Sequence, residues 1–185
     1  MPDWNTLKKS CEDCYACPLH ATRTNCVFGV GNPQAKLMFV GEAPGEQEDL
    51  TGIPFVGKAG QLLDKFLFAV DLSREDVYIA NILKCRPPNN RDPLPTEEDA
   101  CIGYLRDQVR LISPRIIVCL GRISASRLIK PDFRITREHG VWFEKGPFSM
   151  TAVYHPAALL RNPSQKDAML TDMKAIRARL DALNS

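Results

Sequence analysis

Four continuous apolar, β-rich runs constrain this chain most: "KLMFV" at 36–40, "DVYIAN" at 76–81, "RIIVCLG" at 115–121 and "SMTAVYH" at 149–155. Unbroken apolar runs of this length suit strands buried on both faces, the situation of a parallel sheet. Helical patterns fall between and after them, at 58–70, 96–112, 122–130 and 165–183. Thr96, followed by acidic residues, predicts the N-terminus of the second helix. Strands alternating with helices predict an open α/β sandwich with right-handed crossovers.

Sheets of that kind bind ligands outside the carboxyl ends of their strands. The unusual segments of this sequence fall there. "GEAPGEQED" follows the first run, "NILKCRPPNNR" spans the end of the second, "GR" closes the third, and "HPAALLRNP" follows the fourth. The acidic turn "GEAPGEQED" lacks the regular oxygen-ligand spacing of a calcium loop, which leaves acid–base chemistry or a solvated loop.

A chain of 185 residues is expected to form a single domain, residues 1–185, burying roughly 70% of its unfolded surface. No apolar run is long enough to cross a bilayer, and "MPDWNTLKKS" has no signal-peptide core, so no membrane association and a cytoplasmic location are expected. The formal net charge of +2 permits nucleic-acid binding without requiring it.

Seven cysteines need an account: Cys11, Cys14, Cys17, Cys26, Cys85, Cys101 and Cys119. In a reducing compartment, metal or cluster ligation is a better reading than a disulfide framework. Cys11, Cys14 and Cys17 are spaced C-x2-C-x2-C, with Cys85 and Cys101 far downstream. Spacing alone leaves a structural Zn²⁺ and an iron–sulfur cluster both open. Cys119, inside an apolar run, reads as a small core residue.

The stretches "GEAPGEQEDLTGIPFVGKAGQLLD", "NILKCRPPNNRDPLP" and "HPAALLRNP", with the cysteine spacings, closely resemble the family-four, iron–sulfur uracil-DNA glycosylases. The resemblance runs from about Cys14 to the C-terminal helix. It implies a three-layer α/β/α sandwich around a central, mainly parallel four-stranded sheet. It also implies a [4Fe–4S] cluster held by Cys14, Cys17, Cys85 and Cys101, tying an N-terminal ligand segment to the loop after the second strand. Glycosidic hydrolysis needs no electron transfer, so the implied role of the cluster is structural.

The implied activity is removal of uracil from DNA, with free uracil as product and an abasic site left behind. The base must first leave the stack. Asn81 matches the asparagine that reads uracil, Phe55 the aromatic that stacks on it, and His155 the histidine facing O2. Glu42 is the candidate for orienting the attacking water. Ala43 stands where other branches carry an acidic water activator. Glu48 resembles the position closing the pocket beside uracil C5, and the N–H groups of "VGKAG" are candidates for a DNA phosphate. "AALLRNP" resembles the loop that fills the vacated stack, with Leu159 the first choice for the wedge, Leu160 the second, and Arg161 on a phosphate. A relative that traps uracil through a loop histidine is disfavoured, because "KCRPPNNRDPLP" has none. A non-catalytic iron–sulfur module leaves Asn81, Phe55, Glu42 and His155 unexplained. A monomer is expected, and no protein partner is legible.

Overall fold

The computed structural model describes residues 2–185. Helix α1 (Trp4–Glu12) is followed by a long irregular segment and the short strand β1 (Val30–Gly31). Then come β2 (Leu37–Gly41), α2 (Glu46–Thr51), α3 (Lys58–Ala69) and β3 (Tyr78–Asn81). The middle of the chain forms α4 (Pro95–Ile112), β4 (Ile116–Leu120), α5 (Arg122–Leu128) and α6 (Ile135–Glu138). It ends with β5 (Phe143–Lys145), β6 (Phe148–Val153), α7 (Pro156–Arg161) and α8 (Lys166–Asn184).

The sheet has six strands in the order β1-β3-β2-β4-β6-β5. The four apolar runs form its parallel centre, β3-β2-β4-β6. The expected four-stranded sheet is therefore extended by an antiparallel strand at each edge. Neither edge strand carries a continuous apolar run. β1 has two residues, and Glu144 and Lys145 of β5 are exposed.

Alternation along the strands divides the core. Leu37, Phe39, Ile79, Val118 and Val153 face α3 and α8, meeting Leu63, Leu67, Met169 and Met173. Met38, Val40, Ala80, Ile117 and Ala152 face the opposite layer, where Ile102 and Leu105 of α4 and Ala125 of α5 cover them. Cys119 is fully buried there, as a small core residue. The start of α4 differs from expectation. The helix begins at Pro95, and Glu97 folds back to accept the Leu94 N–H at 2.9 Å, so Thr96 is not its cap. No helix among the described residues is long and apolar enough to cross a membrane.

Candidate active site

Strand β2 lies between β3 and β4, so the chain leaves it first to one side and then returns to the other. Such a reversal opens a crevice at the carboxyl ends of the strands. A large pocket of mixed polar and apolar lining lies there, formed by Glu42, Ala43, Glu48, Phe55, Asn81, Arg122, Tyr154, His155 and Arg161. Glu42 follows β2, Asn81 ends β3, Arg122 opens α5 after β4, and His155 follows β6.

Asn81 is 2% exposed, and its Oδ1 is buried without a hydrogen-bond partner. An unsatisfied buried acceptor costs roughly 1–3 kcal/mol, which a donating ligand would relieve. Phe55 crowds the same space. A Cβ on Gly41 would lie 2.4 Å from Asn81 Oδ1 and 2.6 Å from the Phe55 ring, so only glycine there lets both side chains approach.

Phe55 adopts a left-handed backbone (φ 54°), which a bulky residue holds only under constraint. Arg74 supplies the constraint. Its guanidinium donates to the Pro54 carbonyl at 2.8 Å and to the Phe55 carbonyl, while Nε pairs with Asp64 at 2.6 Å. Gly60 completes it, since a Cβ there would collide with Phe55 O at 1.8 Å. Arg74, Gly41 and Gly60 all escape sequence reasoning, because their effect lies in backbone contacts and in space left open.

The His155 ring lies 5.7 Å from the Phe55 ring, centroid to centroid. His155 caps α7, its Nδ1 accepting the Ala157 N–H at 3.1 Å. With Nδ1 an acceptor, the proton of the neutral ring sits on Nε2. Burial pushes the imidazole down to about 4, and the nearby charge of Arg161 acts in the same direction. The residue is thus a neutral N–H donor through the physiological range. Glu42 shifts the opposite way. Burial raises its carboxyl above the ordinary value and Asp92 adds to this, while Arg122 and Arg161 oppose it. A carboxylate so placed is a better base than a solvated one.

The other acids of the turn have different roles. Glu48 accepts N–H bonds from Gly45 (3.1 Å), Val56 and Gly57 (both 2.8 Å). Its carboxylate therefore fastens the Phe55 loop to the start of α2 instead of simply closing the pocket. It also occupies N–H groups of the "VGKAG" segment that were candidates for a phosphate. Asp49, 4% exposed, accepts from Thr24 N (2.8 Å) and Asn25 N (3.2 Å). Glu42 and the exposed Glu46 line the pocket without such bonds, and Glu42 is the half-buried one, so two of the four acids of the turn are architectural.

On the far side of the turn, Cys14, Cys17, Cys85 and Cys101 line a single cavity. Sulfur-directed donors surround it: Ala16 N–H to Cys14 (3.4 Å), Arg23 Nη1 to Cys85 (3.2 Å) and Lys84 N–H to Cys101 (3.4 Å). These suit thiolates. Burial pushes the Cys101 thiol up to about 11 and raises Cys17 too, so a centre bound there would have to draw the protons off. Among the described residues no three His, Cys, Asp or Glu side chains gather tightly enough to chelate one ion. A cluster, which takes one thiolate per iron, fits a cavity ringed by separated sulfurs better than a lone Zn²⁺ does. Ala43 packs against this cradle while lining the pocket, and Leu83 N–H donates to Glu42 O at 2.9 Å. The two sites share a wall.

The family model for the uracil DNA glycosylase superfamily matches residues 28–180. The chain belongs to this superfamily. A type-4 uracil-DNA glycosylase of Archaeoglobus fulgidus is 46% identical over 95% of this chain and 92% of its own length. Enzymes of the same name from Thermotoga maritima (47% identical, 83% of this chain, 81% of its own) and Sulfurisphaera tokodaii (44%, 96% and 84%) are also similar.

Within this uracil-DNA glycosylase framework the wedge needs correcting. Leu159 is 0% exposed and packs in the core beneath α7, whereas Leu160 is 44% exposed. Helical phase turns one leucine inward and its neighbour out, so Leu159 is no wedge. Arg161 is exposed and also lines the pocket, where its charge reaches Glu42 and His155.

Leu160→Ala should slow release from paired uracil roughly tenfold, and less from single-stranded uracil, where unstacking costs little. Equal losses on both substrates, in single-turnover assays, would exclude Leu160. Leu159→Ala should instead lower stability by about 2–5 kcal/mol, measured by denaturant unfolding.

Proposed function

We propose that this chain is a uracil-DNA glycosylase of base excision repair: it flips uracil from DNA, hydrolyses the N-glycosidic bond, releases free uracil and leaves an abasic site. The observation that carries this reading is the partnerless Asn81 Oδ1 beside Phe55, in a pocket shared with His155 and Glu42.

A flipped uracil presents an N3–H donor and an O4 acceptor. Asn81 Oδ1 accepts from N3–H and its amide nitrogen donates to O4, whereas cytosine offers the reverse pattern. Phe55 stacks on the base. As the glycosidic bond breaks, charge develops on O2, where His155 donates through Nε2–H without giving up a full proton. Glu42 orients the attacking water and opposes the positive charge growing on the sugar. Ala43 leaves that task to Glu42 alone. Leu160 fills the gap in the stack and Arg161 meets a phosphate.

Cys14, Cys17, Cys85 and Cys101 would hold a [4Fe–4S] cluster, which supplies a rigid, charged cross-link between the N-terminal segment and the loop after β3. The whole span 1–185 acts as one domain, as a monomer, in the cytoplasm. The deciding experiment incubates the protein with an oligonucleotide bearing one uracil and cleaves abasic sites with alkali. Cleavage at uracil, and none in the cytosine control, is expected; an intact uracil strand would overturn the reading.

Serine at Cys85 or Cys101 should lower iron and sulfide content and soluble yield, while serine at Cys119 should leave iron content unchanged. Iron and sulfide analysis after anaerobic purification checks both. A colourless protein carrying stoichiometric zinc would overturn the cluster.

A further inference from the structure

Cys11 and Cys26 lie outside the active-site pocket and outside the proposed four-cysteine set, although Cys11 also lines the cavity that those four ring. Cys11, near the end of α1, is 1% exposed; Cys26 is half-buried. Their Sγ atoms lie 3.3 Å apart. A disulfide needs about 2.04 Å, so closure requires only about 1.3 Å of sulfur movement. The backbones on both sides are already fixed. Cys14 N–H donates to Cys11 O at 3.3 Å, and Val27 N–H donates to Lys84 O at 2.7 Å. Around the pair stand Leu7, Phe28 and Trp4, an apolar setting that suits a disulfide.

The loop between the two cysteines contains both Cys14 and Cys17. Its only regular structure is a four-residue 3-10 turn, Pro18–Ala21. Two of the four proposed ligands are thus carried on a segment with little secondary structure of its own. We propose that Cys11 and Cys26 form a redox clasp: a disulfide between them closes the ligand loop and retains Cys14 and Cys17 in place. The function of the clasp rests on the cluster reading above; the bond itself does not.

The half-buried Cys26 reacts first. Its thiolate attacks a low-molecular-weight disulfide such as glutathione disulfide, breaking that S–S bond and expelling one thiol. The Cys11 thiolate then attacks Cys26 Sγ and expels the second. Two electrons and two protons pass from the cysteine pair to the reagent, which leaves as two thiols. An excess of reduced thiol reverses the sequence.

The test uses the iron-loaded protein, incubated with glutathione disulfide or with a thiol reductant. Denaturation, alkylation and peptide mass mapping then locate the bonds. A Cys11–Cys26 cross-link is expected, with Cys14, Cys17, Cys85 and Cys101 still alkylated and the visible absorbance unchanged. Under chelator challenge the oxidised form should bleach about fivefold more slowly or better, since the closed loop cannot open to release its ligands. Cys26→Ser should abolish both effects. Cys85 also lies near Cys26, and a Cys26–Cys85 bond, or full alkylation of Cys11 and Cys26, would overturn the clasp. Equal bleaching rates would do the same. Absence of iron and sulfide would instead overturn the cluster reading, and with it the role of the clasp, whatever the mapping shows.

Discussion

Glu42→Gln should slow uracil release by roughly 10²- to 10⁴-fold in single-turnover assays while leaving affinity for uracil-containing DNA nearly unchanged. The substitution keeps the shape of the side chain but removes the charge proposed to orient water and oppose the developing sugar cation. That charge matters mainly in the transition state, so the loss falls on the chemical step. His155→Ala should cost roughly 10²- to 10³-fold on the same logic, through the lost donor to O2.

The pH profile separates the two residues. On the proposed mechanism, activity needs Glu42 ionised and His155 neutral. Burial raises the Glu42 carboxyl above its ordinary value of 4.5, so activity lost on acidification tracks Glu42. His155 protonates only near 4 and contributes nothing to the loss above that. The wild-type profile should therefore be flat through neutrality and fall at a pH above that of a solvated glutamate. In Glu42→Gln the acid limb should retreat toward pH 4. A limb that stays in place would assign it to another group.

The centre of the fold was legible because burial on both faces leaves continuous apolar runs, and β2, β3, β4 and β6 are those runs. The edges were not, since a two-residue strand such as β1 has no period to read. The site was legible for a related reason. A parallel sheet delivers the residues after its strands to one rim, and Glu42, Asn81 and His155 lie on it. The supports of the site were not legible. Gly41 and Gly60 act through the volume they leave empty, and Arg74 through carbonyls that any residue possesses. The choice between Leu159 and Leu160 depended on the phase of a six-residue helix, too short to display periodicity. The roles of Glu48 and Asp49 were not legible either, because a carboxylate that binds backbone N–H groups is spelled with the same residues as one that faces a substrate.

Asn81→Ala should lower the rate on uracil by about 30- to 1,000-fold, the effect of losing about 2–4 kcal/mol of site hydrogen bonding in the transition state. Asn81→Asp is the more telling variant. At a position 2% exposed, a carboxylate is disfavoured, and burial favours the neutral acid. A neutral carboxyl has one donor and one acceptor, and either oxygen can hold the proton. Arranged one way, it accepts from uracil N3–H and donates to O4; arranged the other way, it donates to cytosine N3 and accepts from its exocyclic amine. The amide of Asn81 lacks this freedom, because its donor and acceptor sit on different atoms and exchange only if the side chain turns over. Asn81→Asp should therefore lose rate on uracil and gain measurable release of cytosine. Single-turnover rates on matched oligonucleotides bearing uracil or cytosine decide it. Wild-type rates on uracil for Asn81→Ala would mean that this residue does not read the base, and an undiminished preference in Asn81→Asp would mean that discrimination is set elsewhere in the pocket.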